Sequence, residues 1–315
     1  MGKTALFAQN QPGGVFTIDD IAEHPNNIWF VDSVTGTNSV GAGRNPDAPL
    51  ASIAYAFSSD LVAAGDVIYV LPGHAETVNN TDRITCDIAG VKVIGLGWGN
   101  RRPTITFSTD TTADIDIDAA NIMLKNLRFV GNIAALAAPI DVNAAGFVME
   151  DCDWYVASAT KDIDITILGV ATANDMIIRR CRFNYDASNE ATGVAVSAAS
   201  TEVIRIVGQD RTIIEDCYMA GNFATAAINA ITTKSMDIKI LRNAIYNDQT
   251  ADVAGVIDLV AGCTGVIAHN YGFHGLHDDA SALATIIDPA SCAMIENYFS
   301  NVVTETGGLV GTASS

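Results

Sequence analysis

The sequence predicts an all-β chain wound as a single-stranded right-handed parallel β-helix with an N-terminal capping helix. Three observations predict it: a short motif recurring at a nearly constant interval, a second alternating strand between its copies, and one apolar helical face ahead of them. The motif reads apolar, two variable residues, then Leu, Cys or Asn, one variable residue, then an apolar or aromatic residue. Its copies begin at Leu124, Met149, Ile178, Ile214, Ile240, Ile267 and Met294. The fourth positions are 127, 152, 181, 217, 243, 270 and 297, so the spacings are 25, 29, 36, 26, 27 and 27. A fixed period in this range is the mark of a solenoid.

The interval is too short for a propeller blade, and regular Asn-Gly or Asp-Gly hairpins are missing. A leucine-rich frame is missing as well. The second pattern appears at Asp114–Asp118, Pro139–Val142, Asp162–Ile167, Glu202–Val207, Gly255–Val260 and Leu283–Ile287. Alternation of β-branched and polar residues gives a strand with one buried face. Coils of about 27 residues then stack at roughly 4.8 Å, each strand pairing with its counterparts above and below. The long interval before Cys217 places an excursion around Asp186–Ser200.

Stacking puts Cys152, Cys181 and Cys217 above one another, followed by Asn243, Asn270 and Asn297. Stacked Asn side chains hydrogen-bond along the axis, and Cys acts there as a small buried residue. No two of the six cysteines have zinc-ligand spacing, and a chain able to bury a large core has little need of disulfides. They are read as structural free thiols, with no cofactor.

Before the coils, residues 1–27 read as a polar arm. A capping segment at 28–65 follows, the β-helix occupies 28–305, and 306–315 form a tail. Leu50, Ile53, Ala54, Phe57 and Leu61 share one helical face; Pro49 suits the helix start and Gly65-Asp66 its end. Such a helix covers the open edge of the first coil.

The Trp29–Asp32 strand, the stretch Arg44–Pro49 and the helix residues Ile53–Ala56 resemble the beginning of pectate-lyase-like β-helix proteins. So do Gly65–Gly73, His74-Ala-Glu76 and Val91–Gly97. With the coils, the resemblance spans about residues 28–305 and implies the fold. Leu71–Thr77 together with Val93–Gly97 is similar to bacteriophage virion proteins associated with head decoration. That resemblance implies a structural protein of the capsid surface, made in the host cytoplasm, a homotrimer that binds the major capsid protein or another virion protein.

Composition supports part of this by exclusion. Lys and Arg total 17 against 36 Asp and Glu, a formal charge of −19, which repels nucleic acid. No apolar run reaches membrane-spanning length, and the first residues lack a signal-peptide stretch.

Three acidic sets are candidate sites. Asp114, Asp116 and Asp118 lack the glycine and the final acidic ligand of a calcium loop, and the interleaved Ile115 and Ile117 put them on an outer strand face. Asp141 and Asp164 extend that face, and a bound cation is the alternative. His274, His277, Asp278 and Asp279 have acid–base chemistry but fall in a polar stretch that reads as a loop. Pectinolytic hydrolases of the resembled superfamily carry Asn-x-Asp, paired Asp, Gly-His-Gly and Arg-x-Lys in that order. Here Asn80-Thr-Asp82 comes too early, and the last two motifs are missing. Sugar grooves favour exposed aromatics for stacking, yet only three Trp occur: Trp29, Trp98 and Trp154. No catalytic residue is assigned; a polysaccharide lyase or hydrolase of the tailspike type, or a non-catalytic glycan-binding module, is the alternative.

Overall fold

A computed structural model describes residues 27–81, 83–158, 160–185, 200–248, 255–274, 286–301 and 308–310. The expected arm, apart from Asn27, and nearly all of the excursion before Ser200 lie outside these residues.

Each coil visits three parallel sheets in turn. Sheet 1 holds ten strands from Ile28–Val31 to Ala293–Ile295, and sheet 2 ten from Ala75–Val78 to Gly308–Val310. Sheet 3 holds eight, from Ile84–Cys86 to Ile287–Asp288. Register is kept coil by coil: Leu124, Met149, Ile178, Ile214, Ile240, Ile267 and Met294 form one inward column in sheet 1. The predicted parallel β-helix is what the chain forms. Its last strand, Gly308–Val310, turns back antiparallel onto Asn297–Asn301, within the segment expected as a tail.

The motif is not one strand, as its apolar spacing suggested, but two strands and a corner. Asn126, Asp151, Arg180, Asp216, Arg242, His269 and Glu296 each adopt positive φ, between 44° and 58°. Left-handed backbone costs a non-glycine residue roughly 1–2 kcal/mol. Here the same turn exposes an N–H to the next coil: Asp151 donates to Arg179 O at 3.2 Å, Arg180 to Glu215 O at 3.1 Å and Asp216 to Leu241 O at 3.1 Å. The basic segment Arg179–Arg182 straddles this corner.

One residue past the corner, the predicted ladder points inward. Asn243, Asn270 and Asn297 are fully buried, and each Nδ2 donates to a carbonyl of the preceding coil: Ile214, Ile240 and Ile267, at 3.0, 2.9 and 2.9 Å. The cysteines address the equivalent carbonyl. Cys152, Cys181 and Cys217 donate Sγ–H to Leu124 O, Met149 O and Ile178 O at 3.6, 3.6 and 3.7 Å. Thiol and amide thus perform one task, the thiol more weakly. All six cysteines are free and buried, and burial drives the thiols of Cys152 and Cys181 well above their ordinary range. Native protein is therefore expected to leave the ladder thiols unmodified by an aromatic disulfide reagent, with reaction only after denaturation; rapid native labelling of Cys181 would contradict this.

Two boundaries differ from expectation. The helix spans only Ile53–Ser58, because Ser52, not Pro49, caps it: the Ser52 side chain accepts from Tyr55 N at 3.1 Å. Leu50 is instead extended, bridged to Val31. The helix does cover an end, packing on Ile84–Cys86, the first strand of sheet 3. The strand expected at Asp162–Ile167 runs over Ile165–Gly169. Ile163 is held earlier by an isolated bridge to Leu136, so the ladder starts again two residues later.

Candidate functional site

A solenoid offers its three outer faces to the world, and here the three differ in chemistry. On sheet 1 several outward charges are paired within the chain. Glu150 takes Lys125 at 3.0 Å and both Arg179 and Arg180. Burial alone would raise the Glu150 carboxyl, but the Lys125 and Arg179 bonds outweigh it and hold it below its ordinary value. Arg242 spans Glu215 at 2.9 Å and Asp216 at 2.7 Å. Beside these runs an apolar column, Met123, Val148, Ile177 and Ile213. An open groove of about 630 Å³ on this face is lined by Ile177, Ile213, Lys239, Asp237 and the paired Asp175 and Arg211.

Sheet 3 carries the predicted acidic face. Its outward column is Thr85, Asp116, Asp141, Leu168, Arg205, Asn229, Asp258 and Asp288. The expectation needs two corrections. Asp114 is not solvated: it is buried and gripped by Arg83. Asp164 does not continue the column, because the shifted strand start puts Leu168 beside Asp141. Asp116 is pushed up to about 6, first by burial and then by the Asp114 charge, with Arg83 opposing. Burial also raises Asp141 and Asp258, the latter with help from Asp288. Among the described residues, no three His, Cys, Asp or Glu side chains converge as a metal site requires.

An acid raised in the folded state keeps its proton where the unfolded chain has lost it, so its contribution falls as pH rises from about 4 to about 6. Asp116→Asn is expected to raise the thermal midpoint of the unassembled chain at pH 7 and to flatten that part of the stability profile. Equal midpoints of the two proteins at pH 7 would rule this out.

Sheet 2 holds what sequence reasoning missed. The position after the ladder residue faces outward, giving the column Arg128, Asp153, Arg182, Tyr218, Ala244, Tyr271 and Tyr298. Two residues on, a second column includes Tyr155 and Tyr246. Tyr218, Tyr246, Tyr271 and Tyr298 are 36, 36, 51 and 54% exposed. Arg182 lies over the Tyr218 ring at 5.5 Å and Arg128 over Tyr155 at 5.6 Å. Tyr218 and Tyr246 are 5.7 Å apart. The signal lies in the pairs Cys217-Tyr218, Asn270-Tyr271 and Asn297-Tyr298, where a tyrosine and not a tryptophan follows the ladder residue. Of the tryptophans, Trp29 and Trp154 are buried and only Trp98 is exposed.

The remaining candidates do not assemble. His274 is buried in a sheet 2 strand, not in a loop; His277, Asp278 and Asp279 lie outside the described residues, as does Asp82. The His74-Ala-Glu76 motif proves to be a fastener. His74 Nδ1 accepts from Ser33 N at 2.9 Å, so its proton sits on Nε2, facing Glu76 Oε2 at 3.1 Å. Glu76 in turn accepts the first helix N–H groups, Ile53 at 2.8 Å and Ala54 at 3.1 Å.

No protein-family model and no curated protein matches the chain. Among solved structures it is similar to a rhamnogalacturonan lyase, with 11% identity and a TM-score of 0.46 over 79% of this chain and 68% of that one.

Proposed function

We propose that this chain is a structural solenoid that works by protein–protein contact, and that it decorates and stabilises a bacteriophage capsid. The Tyr and Arg side chains displayed on sheet 2 carry the reading. These are the residue types enriched at protein interfaces, where a rigid aromatic gives large contact area at small entropic cost. The ordered ladders support it too: the internal bonds run coil to coil, which suits a rod that bears load rather than a cleft that closes on substrate. The phage setting comes from the resemblance of the Leu71–Thr77 and Val93–Gly97 segments. Partners in this reading are further copies of the chain and the major capsid protein, and stabilisation follows by mass action from binding the assembled shell.

Copy number per virion, measured by quantitative mass spectrometry against the shell protein, tests it. A stoichiometry comparable with the shell, and heads that lose integrity when the protein is removed, are the expected results. A handful of copies, together with shortening of a host polysaccharide, would replace this reading with the glycan-active one.

A further inference from the structure

Two outer faces of this molecule are chemically complementary. Sheet 2 presents hydrogen-bond donors and cations: the hydroxyls of Tyr155, Tyr218, Tyr246, Tyr271 and Tyr298, and Arg128. Sheet 3 presents acceptors, namely Asp141, Asp258, Asp288 and Asp116, the last 3.3 Å from Arg83, and Arg205, the one cation of its column, is already held by Glu202 at 2.7 Å. Both columns advance by one coil per step, roughly 4.8 Å. Two copies lying side by side and pointing the same way therefore keep their columns in step along the whole contact.

We propose that the sheet 2 face of one chain receives the sheet 3 face of a second copy, with coils level. In the register proposed, each sheet 3 strand lies level with the next sheet 2 strand along the chain. Asp116 then stands level with Arg128, Arg205 with Tyr218, Asp258 with Tyr271 and Asp288 with Tyr298. These are a charge pair, a cation over an aromatic ring, and two carboxylates facing phenol donors. Asp141 is level with Tyr155 and also with Asp153, whose carboxylate is already held by Arg102. The acidic column gains most, since Asp116, Asp141 and Asp258 are partly buried and burial raises all three. Donors from a neighbour offset that rise.

The contact joins different faces, so it is heterologous. Level coils mean no rise along the axis, and such a contact closes into a ring of three or more copies instead of a filament. A two-fold dimer cannot be made this way. The assignment rests on the self-association expected above, but it names the faces and the register.

The test uses the full chain in sedimentation velocity at low and moderate salt. Tyr271→Glu places a carboxylate level with Asp258 and is expected to weaken assembly by about tenfold or more. Combining it with Asp258→Lys is expected to restore assembly to within about threefold, which also shows that the charge-altered chain folds. A monomeric or dimeric parent chain, assembly indifferent to Tyr271→Glu, or a double variant no better than the single would overturn the proposal. Polysaccharide capture by a monomeric chain would overturn it as well. A monomer that still coats capsids would remove this inference and leave the proposed function standing; a ring that binds no capsid would do the reverse.

Discussion

Asn270→Ala is expected to cost about 2–6 kcal/mol, because one truncation takes the side-chain partner from two buried backbone groups, Asn243 N and Ile240 O, at roughly 1–3 kcal/mol each, and one of two bonds from Asn243 Nδ2. Asn270 Oδ1 accepts from Asn243 N at 2.9 Å and from Asn243 Nδ2 at 3.0 Å, while its own Nδ2 donates to Ile240 O at 2.9 Å. Asn297 Oδ1 loses its side-chain donor as well but keeps the backbone one, Asn270 N at 3.1 Å. A loss of this size approaches the whole net stability of an ordinary domain. Urea unfolding at 25 °C measures it, and a midpoint equal to that of the parent chain would show that the ladder is not a stability element.

The cysteine half of the ladder supplies the control. Asn270→Cys returns a donor to Ile240 O, as Cys217 does for Ile178 O, but offers Asn243 N only a poor acceptor. Its cost is expected to fall between those of the parent and Asn270→Ala. Cys217→Asn is the converse change, inserting a stronger donor toward the same carbonyl in a column already spaced for amides, and is expected to be tolerated.

The ladder was legible in the sequence because its period is long-range and its residue types are few. Stacking is enforced by the core, so the fourth motif position could be followed from coil to coil without knowing where the strands end. The corners were not legible. A left-handed residue usually announces itself as Gly, yet here the position holds Asp151, Arg180, Arg242 and His269. Their conformation is fixed by bonds to the neighbouring coil, which no local propensity records. The same cause hid the tyrosine face. Once the corner is placed, Tyr218, Tyr271 and Tyr298 must point outward; with the motif read as a continuous strand, their side remained undefined. The acidic column was half legible. Alternation gave Asp116 and Asp141 their side, but the Leu136–Ile163 bridge that displaces Asp164 joins residues 27 apart.

Trp154→Ala is the second change expected to be severe, at about 3–5 kcal/mol for the lost burial and the cavity left behind. Trp154 is fully buried and stacked on Phe129 at 4.6 Å and on Phe107 at 5.8 Å, with Phe183 in register on its other side. Each ring pair adds roughly 0.5–1.5 kcal/mol beyond area. The indole Nε1 finds no hydrogen-bond partner among the described residues, a cost that the parent chain already bears. Trp154→Phe removes that donor while keeping a ring between Phe129 and Phe183, so it is expected to cost far less than Trp154→Ala. The ratio of the two separates stacking from volume: if both cost the same, the unpaired indole is not a penalty and the column is held by packing alone. Because each coil touches only its neighbours, stability in a solenoid is close to a sum of coil interfaces. Removing the ring at a central coil weakens both interfaces at once. Trp154→Ala is therefore also expected to broaden thermal unfolding, with the Asn-laddered half melting separately from the half that holds the capping helix. A single sharp transition, merely shifted, would mean that the coils remain coupled through the intact ladder on the neighbouring corner.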